Sequence, residues 1–191
     1  MDELETRIRE MIGNRKECET CPLSDRQVVI YEKMYDDGDC DVLFFGINPG
    51  KDEAKQNRPF IGRSGKVLRG KLEEFEIAGE FNVAFTNAIL CSTPNEKEIP
   101  DVELCIKNCR DLVREISKEL KPRLYVPVGQ NCSKFLFKIE GRITAISGEL
   151  FKNNIMPIVH PAALVYNRNG PAGPIFNRSM LKIKEFLKND N

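Results

Sequence analysis

At 191 residues, 41% of them hydrophobic and 30% charged, the chain has the size and composition of a single globular domain, residues 1–191, with a core of its own. Its 29 Lys and Arg balance 29 Asp and Glu, which excludes gripping nucleic acid by bulk charge while leaving room for a local basic face. The odd count of seven cysteines speaks against a disulfide framework. No apolar run nears the ~20 residues of a membrane span, and the charged N-terminus is unlike a signal peptide, so no membrane contact and a cytoplasmic location are expected.

In chain order, residues 1–13 predict an amphipathic helix through Leu4, Ile8, Met11 and Ile12, stopping at Gly13. Cys18-Glu-Thr-Cys21 follows, a spacing that lets two thiolates turn onto one metal. Val42 to Phe45 is an apolar run suited to a buried parallel strand. It breaks at Gly46-Ile47-Asn48-Pro49-Gly50, and a polar loop leads to Arg58-Pro59-Phe60. Ser64 to Phe75 predicts a helix, and Phe81 to Leu90 a second strand with Asn87 near its carboxyl end. Val102 to Leu120 is a long helix, Arg123 to Val128 a third strand, and Cys132 to Lys138 a further helix. A short hairpin is expected within 143–151 and a fourth strand from Ile155 to Val159, which empties into His160-Pro161. Asn177 to Lys188 closes the chain as a helix. Strands separated by helices imply right-handed crossovers, hence a three-layer α/β/α sandwich with a central, mainly parallel four-stranded sheet.

A strand that empties into a Gly/Pro loop is where open α/β sheets bind ligands. Gly50-Lys51 is not a phosphate loop, because Asp52 follows the Lys and Phe45 stands where the first Gly is required. Lys66 fails the same test through Val67 and Phe60. Asn48, Asn87 and His160 fall at the carboxyl ends of three predicted strands, so a parallel sheet brings them to one rim. Singly, each also reads as a turn former or a satisfied structural residue. Arg58, Arg63, Lys66, Arg69 and Lys71 form one basic cluster, and Arg168, Arg178, Lys182 and Lys184 a second. On charge alone these are solvated helix faces.

GINPG (46–50) followed by RPFIGRSG (58–65) resembles the first motif region of the uracil-DNA glycosylase superfamily, closest to the iron–sulfur family 4 enzymes. Those enzymes read approximately GEAPG and RPFVGRAG at the same spacing. HPAALVYN (160–167) is similar to the family's HPSYLLRN. Ile47-Asn48 departs from the family's Glu-Ala, and the pentapeptide itself is similar to that of mismatch-specific uracil/thymine glycosylases.

The resemblance implies a monofunctional glycosylase that flips uracil out of single- or double-stranded DNA and hydrolyses its N-glycosidic bond, with a monomer expected. It assigns catalysis to Asn48, which would hold the water, and His160, which would donate to the uracil O2. Gly46, Ile47, Gly50, Phe60 and Asn87 would shape the base pocket, with Phe60 stacking on the base and the Asn87 amide reading N3–H and O4. Arg63, Ala162 and Leu164 would meet DNA.

From spacing alone, four thiolates suit zinc and an iron–sulfur cluster equally. The resemblance implies a [4Fe–4S] cluster on Cys18, Cys21, Cys91 and Cys109. Counted back from Pro122, the family's pattern places its fourth cysteine on Cys109 rather than Cys105, leaving Cys40, Cys105 and Cys132 structural. Two other readings stay open: an iron–sulfur damage-binding protein with little hydrolysis, and a glycosylase for hypoxanthine or for thymine opposite guanine.

Overall fold

The computed structural model describes residues 2–35, 37–94, 96–166 and 170–189. The helices are α1 (Glu3–Gly13), α2 (Lys16–Glu19), α3 (Lys51–Gln56), α4 (Arg63–Glu74), α5 (Val102–Leu120), α6 (Ile143–Ile146), α7 (Ala162–Tyr166) and α8 (Ala172–Asn189). The strands are β1 (Tyr31–Lys33), β2 (Val42–Gly46), β3 (Val83–Asn87) and β4 (Leu124–Pro127), in the order β1-β3-β2-β4. Strand β2 runs parallel to both β3 and β4, and only β1 is antiparallel. The three-layer, mainly parallel architecture expected from the sequence is therefore present.

Alternation along the strands builds the layers. Leu43 and Phe45 of β2 join Ala84 in a core with Leu4, Ile8, Ile106, Leu112 and Ile116 of α1 and α5. Val42 and Phe44 pack on the other side with Phe85, Leu68, Leu72, Met180 and Ile183, the last four from α4 and α8. Helix α5 starts where the Asp101 carboxylate accepts from the Leu104 N–H at 2.9 Å, and ends at Lys121, whose φ of 46° precedes Pro122. Both boundaries match the sequence reading.

Several elements differ from expectation, each for a local reason. Residues 155–159 do not form a regular strand. Ile155 and Ile158 bridge to Tyr125 and Val128, but Pro157 between them has no N–H to continue the ladder. The fourth strand is instead β1, an edge of three residues with the charged sequence Tyr-Glu-Lys, too short and polar to signal itself. The hairpin within 143–151 is replaced by α6, a turn at Gly148 (φ +78°) and an antiparallel bridge from Phe151 to Ile155. Part of the polar loop after Gly50 is α3, and Cys132–Leu136 is wound as a π-helix. Among the described residues no helix is long and apolar enough to cross a membrane.

Candidate active site

The parallel register sets Gly46 opposite Asn87 at the carboxyl ends of β2 and β3. Pairing continues past the strands, with Ala88 N–H to the Gly46 carbonyl and Ile89 N–H to the Ile47 carbonyl, both 2.9 Å. A Cβ on Gly46 would lie 2.3 Å from Asn87 Oδ1 and 3.0 Å from Phe60 Cζ, so only glycine lets the Asn87 amide and the Phe60 ring share this corner. Asn87 is 3% exposed, and its Nδ2 has no hydrogen-bond partner among the described residues. A buried amide donor without a partner costs free energy unless a ligand meets it.

Phe60 is held in a left-handed conformation, φ 55°, which a bulky residue adopts only under constraint. The constraint comes from three sides. Glu53 Oε1 accepts the N–H groups of Ile61 at 2.9 Å and Gly62 at 2.7 Å. Arg69 donates to the Phe60 and Pro59 carbonyls at 2.9 Å each, and its guanidinium is tied to Glu32 at 2.6 Å. Gly65 admits the Phe60 backbone so closely that a Cβ there would stand 2.1 Å from it.

Asn48 donates through Nδ2 to the Pro49 carbonyl at 2.9 Å and to Thr93 Oγ1 at 2.7 Å. His160 accepts the Ala162 N–H on Nδ1 at 3.1 Å, which assigns the proton of a neutral ring to Nε2. Gly129, at φ +92°, makes room for that ring, since a Cβ there would be 3.3 Å from His160 Cδ2.

These groups line one pocket of 420 Å³, together with Ile47, Gly50, Glu53, Arg63, Thr93, Ala162 and Tyr166. The volume suits a small planar ligand. Every expected catalytic and base-pocket residue lies on it, and so do Arg63 and Ala162. Leu164 does not; it is half-buried against the α4/α8 core. Asn167, the last residue of the HPAALVYN stretch, and Arg168 of the second basic cluster lie outside the described residues. Glu53 and Thr93 were missed, because a lone Glu in a polar stretch and a loop Thr carry no signal by spacing.

The basic clusters resolve differently from their sequence appearance. Arg58 and Arg69 pair with Glu32, Lys71 with Glu74, Lys182 with Glu149, and Lys184 with Glu76 and Glu80. Arg63 forms no ion pair among the described residues. Instead it lies 5.6 Å over the ring of Tyr166, an exposed residue at the pocket rim.

On the other side of the segment after Asn87, Cys18, Cys21, Cys91 and Cys109 line a second cavity of 50 Å³, beside Ile12, Leu90 and Leu112. Three separate pieces of chain meet there: the turn around α2, the residues after β3 (Val28 bridges to Cys91), and α5. Cys105 does not line this cavity, although its Sγ is 4.0 Å from that of Cys21. Burial, with neighbouring cysteines adding to it, pushes the Cys91 thiol up to about 12; burial does the same for Cys109. Among the described residues no group of three His, Cys, Asp or Glu side chains is drawn together as metal ligands. A lone zinc would draw its sulfurs to about 2.3 Å from one point. The four cysteines on this one cavity supply a set of sulfur donors that either a zinc ion or an iron–sulfur cluster takes.

The α/β sheet thus carries at its carboxyl rim a small pocket lined by an aromatic ring and by a buried amide whose Nδ2 has no partner among the described residues. The chain belongs to the uracil DNA glycosylase superfamily, whose family model matches residues 32–187. Among curated proteins it is similar to the type-4 uracil-DNA glycosylase of Thermotoga maritima, 28% identical over 96% of both chains. The type-4 uracil-DNA glycosylase of Archaeoglobus fulgidus is 27% identical, over 87% of this chain and 85% of that one. A crystal structure of wild-type SMUG2 from Pedobacter heparinus shares the fold, with a TM-score of 0.50 and 16% identity over 82% of this chain and 79% of its own.

Proposed function

We propose that the chain is a monofunctional uracil-DNA glycosylase that extrudes uracil from DNA and hydrolyses its N-glycosidic bond, leaving an abasic site. The observation that carries this reading is the unpartnered Nδ2 of Asn87 beside Phe60. A flipped uracil on the Phe60 ring offers O4 to that donor and N3–H to the amide oxygen. Cytosine presents the reverse pattern and leaves both groups mismatched.

Cleavage builds positive charge on the sugar and negative charge on the leaving base. His160, protonated on Nε2 because Nδ1 accepts from Ala162, donates to the uracil O2 as that charge grows. Asn48 commits its Nδ2 to Pro49 and Thr93, so its Oδ1 remains to accept from the attacking water. An amide is a poor base, and its contribution is placement. Arg63 and Tyr166 at the rim suit a phosphate and an exposed base of the DNA.

Cys18, Cys21, Cys91 and Cys109 would hold a [4Fe–4S] cluster. When bound, such a cluster supplies a covalent tie between the N-terminal segment, the loop after β3 and α5; none of the steps above passes through it.

The test is single-turnover cleavage of uracil-containing duplex. His160→Ala and Asn48→Ala are each expected to slow it by roughly 10²–10³ while DNA affinity stays near wild type. Tight binding of uracil-containing DNA without turnover by the wild type would select the damage-binding reading instead.

A further inference from the structure

The amide of Asn48 has one orientation open to it. Its Nδ2 donates to the carbonyl oxygen of Pro49, which is only an acceptor and also receives the Thr93 N–H at 3.0 Å. Turning the amide over would set two acceptors against each other. Thr93 Oγ1 takes the second Nδ2 hydrogen at 2.7 Å, the shortest polar contact Asn48 makes. Thr93 is 2% exposed, and its branched side chain is stiff at χ1. Its backbone is held as well: the preceding Ser92 N–H donates to Gln27 at 2.9 Å, and Val28 bridges to Cys91. The hydroxyl is thus a fixed point on a rigid segment. The related enzymes with Ala at position 48 would give it no amide to hold.

We infer that Thr93 is a positioning residue for base excision, holding the Asn48 amide through Oγ1 so that Oδ1 stays aimed at the attacking water. The inference rests on the water-placing role given to Asn48 above. Thr93 touches neither base nor water in this scheme; it acts through Asn48. Replacement by Val keeps the shape and the backbone N–H and removes only the hydroxyl. Serine restores the hydroxyl without the methyl.

The experiment is a double-mutant cycle on single-turnover cleavage of a uracil-containing duplex, with DNA affinity and thermal midpoint measured in parallel. Thr93→Val is expected to slow cleavage about tenfold, the effect of one hydrogen bond, with DNA affinity unchanged. Thr93→Ser should return the rate to within about threefold of wild type. In an Asn48→Ala background, Thr93→Val should change nothing further, because the group it orients is gone. A Thr93→Val defect of equal size in both backgrounds overturns the inference, as does a wild-type rate for Thr93→Val alone while Asn48→Ala is slow. If Thr93→Val folds poorly, Thr93→Ser and Thr93→Ala in the same two backgrounds decide the matter. Wild-type cleavage by Asn48→Ala would remove the water-placing role itself, a failure distinct from the others.

Discussion

Gly46 and Asn87 face each other across parallel strands with no room for a methyl group between them: a Cβ on Gly46 would reach to 2.3 Å from Asn87 Oδ1. The first glycine of the GINPG motif is therefore a packing requirement of the Asn87 amide as well as a loop former. Gly46→Ala should fold, because Asn87 sits at the pocket and can swing aside, but the amide then leaves its reading position. A misplacement of about 1 Å costs roughly 10²-fold. Uracil cleavage by Gly46→Ala is expected to fall by that order, with circular dichroism unchanged. A wild-type rate would mean that Asn87 does not read the base.

Glu53 also lines the pocket, accepting both Ile61 and Gly62 N–H groups on one carboxylate oxygen. Hydrogen bonds to a charged group contribute about 1.5–3 kcal/mol. Glu53→Ala should lose stability of that size in urea unfolding and release Phe60 from its left-handed conformation. Glu53→Gln retains an acceptor and should lose less than half as much. Equal losses for the two variants would mean that the clamp is not what the carboxylate provides.

The rim residues were legible in the sequence because a parallel strand announces itself by an apolar run and ends at an abrupt break, as at Phe45-Gly46 and Thr86-Asn87. Long α5 was legible from its apolar spacing and its Asp101 and Pro122 boundaries. What escaped depends on tertiary pairing. Strand β1 exists because β3 offers it an edge, and the Asn48–Thr93 and Glu53–Ile61 bonds join residues whose separation has no fixed period. Pro157 was visible in the sequence, but weighing it against four apolar neighbours needed the partner strand in view.

The cysteine cavity separates two neighbours on α5. Cys109→Ala should abolish stoichiometric iron and the broad visible absorption of a cluster, and should destabilise the protein, because it removes one of the four cysteines lining the cavity. Cys105→Ala should retain iron, although removing a fully buried group next to Cys21 costs some stability. Stoichiometric zinc without iron in anaerobically purified protein would overturn the cluster assignment, and loss of iron in Cys105→Ala alone would exchange the two ligands.

Cys40 gives a pH dependence independent of the metal site. It is fully buried, its thiol donates to the Val42 carbonyl at 3.4 Å, and burial pushes it from the ordinary 9.0 up to about 12. The unfolded chain gives up this proton near 9 and the folded chain only near 12. The associated stability is therefore complete below pH 9 and is lost as pH rises toward 12. The thermal midpoint should fall across that window. Cys40→Ala, though less stable at neutral pH, should fall less steeply, and parallel curves would contradict the assignment.

The last prediction concerns which base the pocket admits. The most stringent uracil-specific branch of the superfamily carries a Tyr at the fifth position of this motif, where it blocks the thymine methyl; here Gly50 stands there. Family 4 enzymes also lack that Tyr but carry a Glu where this chain has Ile47. Gly50 and Ile47 both line the pocket, and the space beside Gly50 is taken by Glu53, whose Oε2 would lie 2.9 Å from a Cβ at position 50. One side chain therefore stands where a ring would, with its other carboxylate oxygen held by the Ile61 and Gly62 N–H groups. Excluding a methyl against a wall that can yield is worth about 1–3 kcal/mol, and a mispaired base flips more readily than a paired one. Uracil opposite guanine should be cut fastest, uracil opposite adenine more slowly, and thymine opposite guanine slowly but measurably. Gly50→Tyr presses on Glu53 and should lower every rate, so the informative quantity is the ratio of thymine to uracil cleavage, which should fall. Wild-type protein that cuts both uracil pairs equally and leaves thymine untouched would show that the methyl is excluded elsewhere in the pocket, with Ile47 the first residue to exchange.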